Sequence, residues 1–381
     1  MSVLYLTIYD SGEFVRSFGE FFMKMAIIGL GNSGKTTVFN ALTRGTIETT
    51  AYSSGQLEPN LATVKVPDSR LDVLANMFKP KKVTFADVQY VDVGGLSSGS
   101  AKGSGLAPAL LNYIGGADAL LHVVRAFTDD NVPHPDETVN PQRDIEAVDL
   151  ELAFSDMAII ERRLTRLNAE IAKMSMKERE LRTAERDLLQ RLLTELEQGI
   201  AIRNITLNEE EERLLRSYQF LSAKPLLLVI NVGDDQVHTP ISEFVHTERD
   251  AVVLAGKIEA EMAQLDDEDG KIFMDDLGIT TPARERVIEL SYRMLGLMSF
   301  LTTGPDEVRA WTIRHQTPAV EAAGAIHTDI QRGFIRAEIV AYDDLIRAGS
   351  MVEAKKHGTV RMEGKTYIVK DGDICHFLFN V

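Results

Sequence analysis

Apolar and polar positions follow three textures along the chain. In the first, short apolar runs alternate with amphipathic stretches. Residues 23–28 (MKMAII) are brief and apolar enough for a buried strand, and residues 37–42 (TVFNAL) suit a helix that ends near Arg44-Gly45. Residues 62–66 predict a strand closed by Pro67-Asp68, and residues 69–78 place Leu71, Leu74 and Phe78 on one helical face. Residues 84–93 predict a further strand, and the unbroken run 119–125 (ALLHVVR) a central parallel one, with His122 a strand residue rather than a catalytic base. The same texture returns at 225–232 (PLLLVINV) and 251–254, with helical intervals around these strands and a closing helix over 284–301.

The second texture, residues 144–222, is helical, charged and free of proline. Met157, Ile160, Leu164, Leu167, Ile171 and Met174 recur at 3-4 spacing, as do Leu181, Ala184, Leu188, Leu192 and Leu196. Two such seams meeting near Ser175-Met176 predict an antiparallel helical hairpin, followed by one more helix over 209–222. Its Glu/Arg runs read as a solvated face, with the tip left as a place for nucleic-acid or partner contact. The third texture begins near Gly304, after the linker-like Thr302-Thr303-Gly304-Pro305. Short strands over 310–313, 334–340, 366–369 and 374–379, with helices near 318–323 and 343–348, predict a small α+β module with its own core.

The expected architecture is therefore α/β. A P-loop nucleotide-binding domain with a mostly parallel sheet spans 23–143 and 223–303, interrupted by a coiled-coil insertion at 144–222. The small α+β domain covers 304–381, and residues 1–22 form an N-terminal extension. That extension lacks the basic start and long apolar core of a signal peptide. It reads as a start-site extension, with Met23 or Met25 as an alternative start. The competing reading is an amphipathic anchor carrying Phe14, Phe18, Phe21 and Phe22.

The chemistry concentrates in Gly29-Leu30-Gly31-Asn32-Ser33-Gly34-Lys35-Thr36, which fits G-x-x-x-x-G-K-[ST] between a strand and a helix. Glycines let backbone N–H groups converge on phosphate oxygens, and the helix N-terminus adds a favourable dipole. Lys35 reaches the β- and γ-phosphates and Thr36 ligates Mg²⁺. The nucleotide-binding set expected here is Gly29, Gly31, Asn32, Ser33, Gly34, Lys35, Thr36 and Thr37. Asp92-Val93-Gly94-Gly95 is a D-x-x-G at a strand end, where Asp92 holds Mg²⁺ and the Gly95 N–H senses the γ-phosphate. Lys35 and Gly95 are thus the expected catalytic groups, and Thr36 and Asp92 the metal ligands. Asn231-Val232-Gly233-Asp234 stands where a guanine-reading N-K-x-D would be. Its Lys is missing, while Asp234 remains to accept from a guanine edge. Ala255, Gly256 and Lys257, after the next strand, complete the nucleotide-binding residues.

Composition adjusts this picture in three places. A net charge of -16 argues against a protein that coats nucleic acid over its whole surface, without excluding a local basic patch. The single cysteine, Cys375, allows neither an internal disulfide nor a Cys-based metal site and suits a cytoplasmic setting. No apolar run approaches the roughly 20 residues that span a bilayer, so no membrane partner is expected.

From Met23 onward the chain resembles the YchF-type, Obg-like ATPases, within the TRAFAC class of P-loop GTPases. The resemblance lies in the P-loop with Asn32, Glu58-Pro59-Asn60, Val66-Pro67-Asp68-Ser69-Arg70-Leu71-Asp72, Asp92-Val93-Gly94-Gly95-Leu96 and Lys102-Gly103-Ser104-Gly105-Leu106. It continues through His122-Val123-Val124-Arg125, Lys257-Ile258-Glu259-Ala260-Glu261, Arg309-Ala310-Trp311-Thr312-Ile313 and Ala322-Ala323-Gly324-Ala325-Ile326-His327-Thr328-Asp329. It implies a G domain, a helical insertion and a TGS domain. It also implies slow hydrolysis of ATP or GTP with Mg²⁺, ATP favoured because the Lys of N-K-x-D is absent, K⁺ binding through Asn32, and association with the ribosome or its RNA. A monomer is the expected state.

Some positions depart from the family pattern. Gln56 stands where a switch threonine is usual, with Thr49, Thr50 or Ser54 as substitutes, and Gly94 and Ser97-Ser98 replace an alanine and Val-Lys or Val-Arg. Leu96 follows the family in being apolar where Ras-like proteins place a water-orienting glutamine, so hydrolysis needs another group. Gln56 and Leu96 also support the alternative of a non-catalytic scaffold that holds nucleotide and contacts RNA or protein through the hairpin and the C-terminal module. A metabolic kinase explains the P-loop but not the D-x-x-G, the base motif and the C-terminal module together.

Overall fold

A computed structural model describes residues 23–46, 59–93, 108–171 and 174–380. The expectations for residues 1–22, Gln56, Glu58, Gly94, Gly95, Leu96 and residues 97–106 lie outside the described residues. The chain runs β1 (Lys24–Ile28), α1 (Lys35–Thr43), β2 (Asn60–Lys65), α2 (Ser69–Phe78), β3 (Lys82–Thr84), β4 (Asp87–Asp92), α3 (Pro108–Gly115) and β5 (Ala119–Arg125). There follow α4 (Pro141–Ile171), α5 (Met176–Glu197), α6 (Glu209–Leu215), β6 (Leu226–Asn231), β7 (Ala251–Leu254), α7 (Gly256–Met262), α8 (Asp267–Asp276) and α9 (Ala283–Met294). The last elements are β8 (Leu297–Thr303), β9 (Glu307–Arg314), α10 (Ala319–Ile326), α11 (Thr328–Arg332), β10 (Phe334–Ala341), α12 (Tyr342–Ala348), α13 (Met351–Lys356), β11 (Arg361–Glu363) and β12 (Asp373–Phe379).

The first sheet has the order β2-β4-β1-β5-β6-β7. Its pairings are parallel except β2 against β4. Every residue of β5 and β6 is buried, which is why their sequences are apolar runs instead of alternations. From β1 the chain fills one side of the sheet and then crosses to β5 on the other. The crevice at the carboxyl ends of β1, β4, β5 and β6 is where such a sheet takes its ligand.

The hairpin forms the crossover from β5 to β6. Ile160, Leu164 and Leu167 of α4 pack with Leu188, Leu189 and Leu192 of α5, each full burial contributing about 1.5–3 kcal/mol. Leu181, expected in this seam, is instead 59% exposed. The helix expected over 209–222 stops at Leu215. Asp156, fully buried on α4, draws the following chain back by accepting the N–H groups of Leu221 (2.8 Å) and Ser222 (2.7 Å). Asp149 anchors the arm's root to both Arg203 (2.7 Å) and Arg249 (2.6 Å).

The second sheet has the order β11-β10-β12-β8-β9-β3, and several expectations change here. The strand expected over 84–93 is two strands. β3 pairs parallel with β9, Val83 opposite Val308, while β4 joins the first sheet. Residues 297–301 belong to β8, not to the closing helix, which ends at Met294; Gly296, at φ 69, turns the chain. Thr302-Thr303-Gly304-Pro305 is no linker: Thr302 and Thr303 end β8, and the chain turns straight into its antiparallel partner β9. The interval between β6 and β7 holds only 3-10 turns at Asp234–Gln236 and Ile241–Glu243. Residues 366–369 make a single bridge, Pro318 to Ile368, and the edge strand is β11 instead.

The C-terminal module has a core of its own around Phe300, Ala337, Ile339 and Phe377. Its other face shares one apolar cluster with the first sheet, where Met23, Leu71 and Tyr90 join Leu301, Val308, Leu345 and Ile374. Arg70 of α2 pairs with Asp371 at 2.8 Å across the same boundary.

Candidate nucleotide site

After β1 the chain turns at Gly29, φ 146, where a Cβ would lie 2.3 Å from the Val123 carbonyl oxygen on β5. Only glycine lets the loop leave the sheet this closely. Asn32 adopts a left-handed φ of 58, which asparagine tolerates better than most residues. Gly31 is less constrained: a Cβ there would meet Pro135 Cγ at an ordinary 3.6 Å. Ser33 is 2% exposed, and its Oγ has no hydrogen-bond partner among the described residues.

Lys35, the first residue of α1, is buried within this loop. Its Nζ donates to the carbonyl oxygens of Gly29 (3.1 Å) and Leu30 (2.7 Å). Burial lowers its pKa to about 8, against the opposing pull of Asp92. A cation held in this way gains from any anion brought to the loop. Thr36 donates from Oγ1 to Asp92 Oδ2 at 2.8 Å, and Asp92 is 2% exposed at the end of β4. A hydroxyl and a carboxylate together form the hard oxygen donor set that Mg²⁺ takes. Thr37 sits one residue further into α1 and is half-buried.

Asn231 ends β6 and is 4% exposed. Its Nδ2 donates to the Ser33 carbonyl oxygen at 3.0 Å, and its Oδ1 accepts from the Gly256 N–H at 3.0 Å. A Cβ on Gly34 would stand 2.2 Å from Asn231 Nδ2, and one on Gly256 2.8 Å from Oδ1. One amide therefore pins the P-loop to the start of α7 and dictates both glycines. Val232 and Ala255 are buried beside it, and the Val232 N–H bonds to Leu254 O at 3.1 Å.

Asp234 and Lys257 lie further out and form an exposed pair with 3.7 Å between Nζ and Oδ2, an ion pair worth little by itself. Direct contacts link Thr36 to Asp92, and Asn231 to both Ser33 and Gly256, with Asp234 and Lys257 further out. Gly95 lies outside the described residues.

Several groups around the site had no role assigned from the sequence, although Arg125 stands in one of the motifs quoted above. Arg125, 3% exposed at the end of β5, donates to the carbonyl oxygens of Val132 (2.8 Å), Phe127 (3.2 Å) and Asn32 (3.4 Å). It ties the loop after β5 to the P-loop, and Asn32 Nδ2 adds a 2.9 Å bond to Pro133 O. His134 in that loop accepts the Asp136 N–H at Nδ1 (3.0 Å), so its Nε2–H donates to Asp144 of α4 (2.8 Å). Phe127 lies between the P-loop and the base loop, near where Cβ atoms on Gly34 and Gly233 would fall. Contacts to backbone carbonyls require no particular spacing, so even the motifs that contain Asn32 and Arg125 do not announce them.

Comparison with known proteins covers nearly the whole chain. A family profile described as a 50S ribosome-binding GTPase matches residues 24–160. The profile of the YchF GTPase C-terminal region, described as a protein of unknown function, matches residues 297–380 and so begins at β8. The ribosome-binding ATPase YchF of Bacillus subtilis is 41% identical over 364 residues, covering 93% of this chain and 98% of that one. The protein of the same name from Mycoplasma genitalium is 37% identical over 373 residues, 94% of this chain and all of its own. The solved structure of the Schizosaccharomyces pombe YchF GTPase superposes with a TM-score of 0.83 at 29% identity, covering 93% of this chain and 97% of that one.

Proposed function

The chain belongs to the YchF family, and from that premise and the geometry of its crevice we propose that it hydrolyses the β–γ bond of ATP and acts on the ribosome, in the cytoplasm. The observation that carries the reading is the buried Lys35 ammonium inside the glycine loop, beside the 2.8 Å contact between Thr36 and Asp92. Loop N–H groups and Lys35 hold the phosphates, and Thr36 and Asp92 hold Mg²⁺. A Mg²⁺ ion held by these two residues would supply charge neutralisation to the bound phosphates. Lys35 stays protonated and draws the same charge as it develops. By its place in the D-x-x-G motif, Gly95 would offer an N–H to the γ-phosphate. Leu96 cannot orient water by hydrogen bonding, so intrinsic turnover is slow and rises when another group supplies that role.

ATP is the preferred nucleotide in this reading. Position 232 is valine where guanine-selective sites carry lysine. The exposed 3.7 Å pair between Asp234 and Lys257 is too weak to decide the base, so the preference rests on the missing lysine. Asn32 would be the K⁺ ligand: its Nδ2 donates to the Pro133 carbonyl at 2.9 Å, so Oδ1 would be the atom offered to the ion. The crevice and its crossover arm act as one unit, with the C-terminal module as a TGS domain packed on its flank.

Calorimetric titration with ATP and with GTP in Mg²⁺ tests this reading. ATP binding at least as tight as GTP binding is expected. Binding of neither nucleotide overturns it.

A further inference from the structure

We propose that the cleft enclosed by the end of α1, by α8 and by the start of α9 is a second anion site, which takes a small organic phosphate and holds its phosphoryl group with Arg44, Lys271 and Arg284. It stands apart from the nucleotide crevice, and nothing in it depends on what that crevice binds.

Placement comes first. The cleft has a volume of about 340 Å³, at the small end of ligand cavities. Arg44 directly follows α1, Lys271 lies on α8, and Arg284 lies in the first turn of α9. Three elements remote in sequence thus each bring one cation to the same place. Of α8, Gly270, Lys271 and Met274 line the cleft, while its Glu268, Asp269, Asp275 and Asp276 do not. The other end of α1 is Lys35 in the P-loop. Its nine residues separate the two ends by about 12 Å, so the cleft and the P-loop are distinct sites on one helix.

The cations are available. The chain has 57 acidic residues against 41 lysines and arginines, so carboxylates are not scarce. Yet Arg44, Lys271 and Arg284 make no ion pair among the described residues. Arg284 Nη1 is buried without a hydrogen-bond partner. Glu259 on α7 attracts Arg284, but its own carboxylate accepts the Ala283 N–H. Arg44 holds a φ of 55, a helix-ending conformation in which glycine is favoured; the chain keeps an arginine there. Two carboxylates also line the cleft. Asp266 accepts the N–H groups of Glu268 (3.1 Å) and Asp269 (2.9 Å) and so caps α8. Glu285 is left as the carboxylate that opposes an anion.

The chemistry of the lining selects a phosphate ester. Burial lowers the Arg284 pKa, Glu259 opposes this, and Arg44 adds to the lowering. A dianion between the two arginines converts that repulsion into shared attraction. Guanidinium groups present planar forks of donors that fit phosphate oxygens in pairs. Beside the cations, the buried Met262 and Pro282 and the half-buried Met274 form an apolar wall. A bare ion gains nothing from that wall, whereas an ester with a compact apolar body covers it.

Calorimetric titration of the full chain with phenyl phosphate, and separately with inorganic phosphate, tests the site at about 50 mM salt, where exposed charges are only lightly screened. Phenyl phosphate should bind with a dissociation constant of about 0.1–1 mM, at least about threefold tighter than inorganic phosphate. Arg44→Gln/Arg284→Gln should weaken it by about 30-fold or more, while Lys35→Ala should leave it within about threefold. Glu285→Gln should tighten it by about threefold, because the opposing charge is gone. That gain cannot come from misfolding, so Glu285→Gln decides the matter if the double variant fails to fold. Four results would overturn the proposal: no binding at about 10 mM, binding lost with Lys35 but kept without the two arginines, inorganic phosphate binding as tightly as phenyl phosphate, or no tightening in Glu285→Gln.

Discussion

Asn231 Nδ2 stands 3.0 Å from the Ser33 carbonyl oxygen. This one bond joins the base loop to the phosphate loop. The same amide occupies the space that a side chain on Gly34 would need.

That crowding makes Gly34 and Asn231 energetically coupled. Gly34→Ala adds a Cβ at a φ of 89, 2.2 Å from Asn231 Nδ2. We expect a loss of about 3 kcal/mol, from left-handed strain plus the clash. Asn231→Ala removes two buried hydrogen bonds and should cost about 2–3 kcal/mol. In the double variant the clash is gone, so the costs should fall short of additivity by at least about 1 kcal/mol in chemical denaturation. Simple additivity would contradict the bridge.

Thr36 and Asp92 test the metal assignment. Asp92→Asn keeps shape and hydrogen bonding but removes the charge that holds Mg²⁺. Nucleotide affinity in EDTA should be nearly unchanged, while the gain on adding Mg²⁺ should shrink by about tenfold or more, about 1.4 kcal/mol. An unchanged Mg²⁺ response would remove Asp92 from the metal site.

Lys35 predicts proton uptake. Its pKa is lowered to about 8 by burial, and a bound triphosphate raises it. At pH 8.5 nucleotide binding should take up about 0.7 proton, and at pH 7 close to none from this group. Titration calorimetry in buffers of different ionisation enthalpy measures this directly. No uptake at pH 8.5 would show that the ammonium is not meeting the phosphates.

His122 sets an acid limit. It is 1% exposed, and burial lowers its pKa to about 3, with Asp149 opposing. The folded state holds it neutral, while the unfolded chain takes up a proton below about 6.5. Its contribution is therefore complete above pH 6.5 and is lost as pH falls toward 3. Between pH 7 and 5 that amounts to about 2 kcal/mol. His122→Leu should remove this much of the pH dependence, whatever constant packing change it brings. An unaltered slope would place the titration elsewhere.

The P-loop was legible because backbone geometry forces its glycines and charge forces its lysine. The strands of the first sheet were legible because burial on both faces makes their sequences apolar runs. β3 was not. Three residues, Lys82 to Thr84, carry no periodicity, and only the partner strand β9 reveals that they leave the first sheet. β8 was read as helix because residues 297–301 (LMSFL) are apolar on both faces, which periodicity does not separate from a helix. Arg125 was legible as part of a motif, but its role was not, because its partners are carbonyl oxygens. Leu181 followed the 3-4 spacing but is 59% exposed.

Phosphate release from ATP in Mg²⁺ and K⁺, compared between the full chain and Lys35→Ala, tests the central claim most directly. We expect slow but measurable turnover, faster with ribosomes, and a loss of at least about 100-fold in the variant. Turnover that survives Lys35→Ala, or none with or without ribosomes, would contradict an ATPase built on this loop.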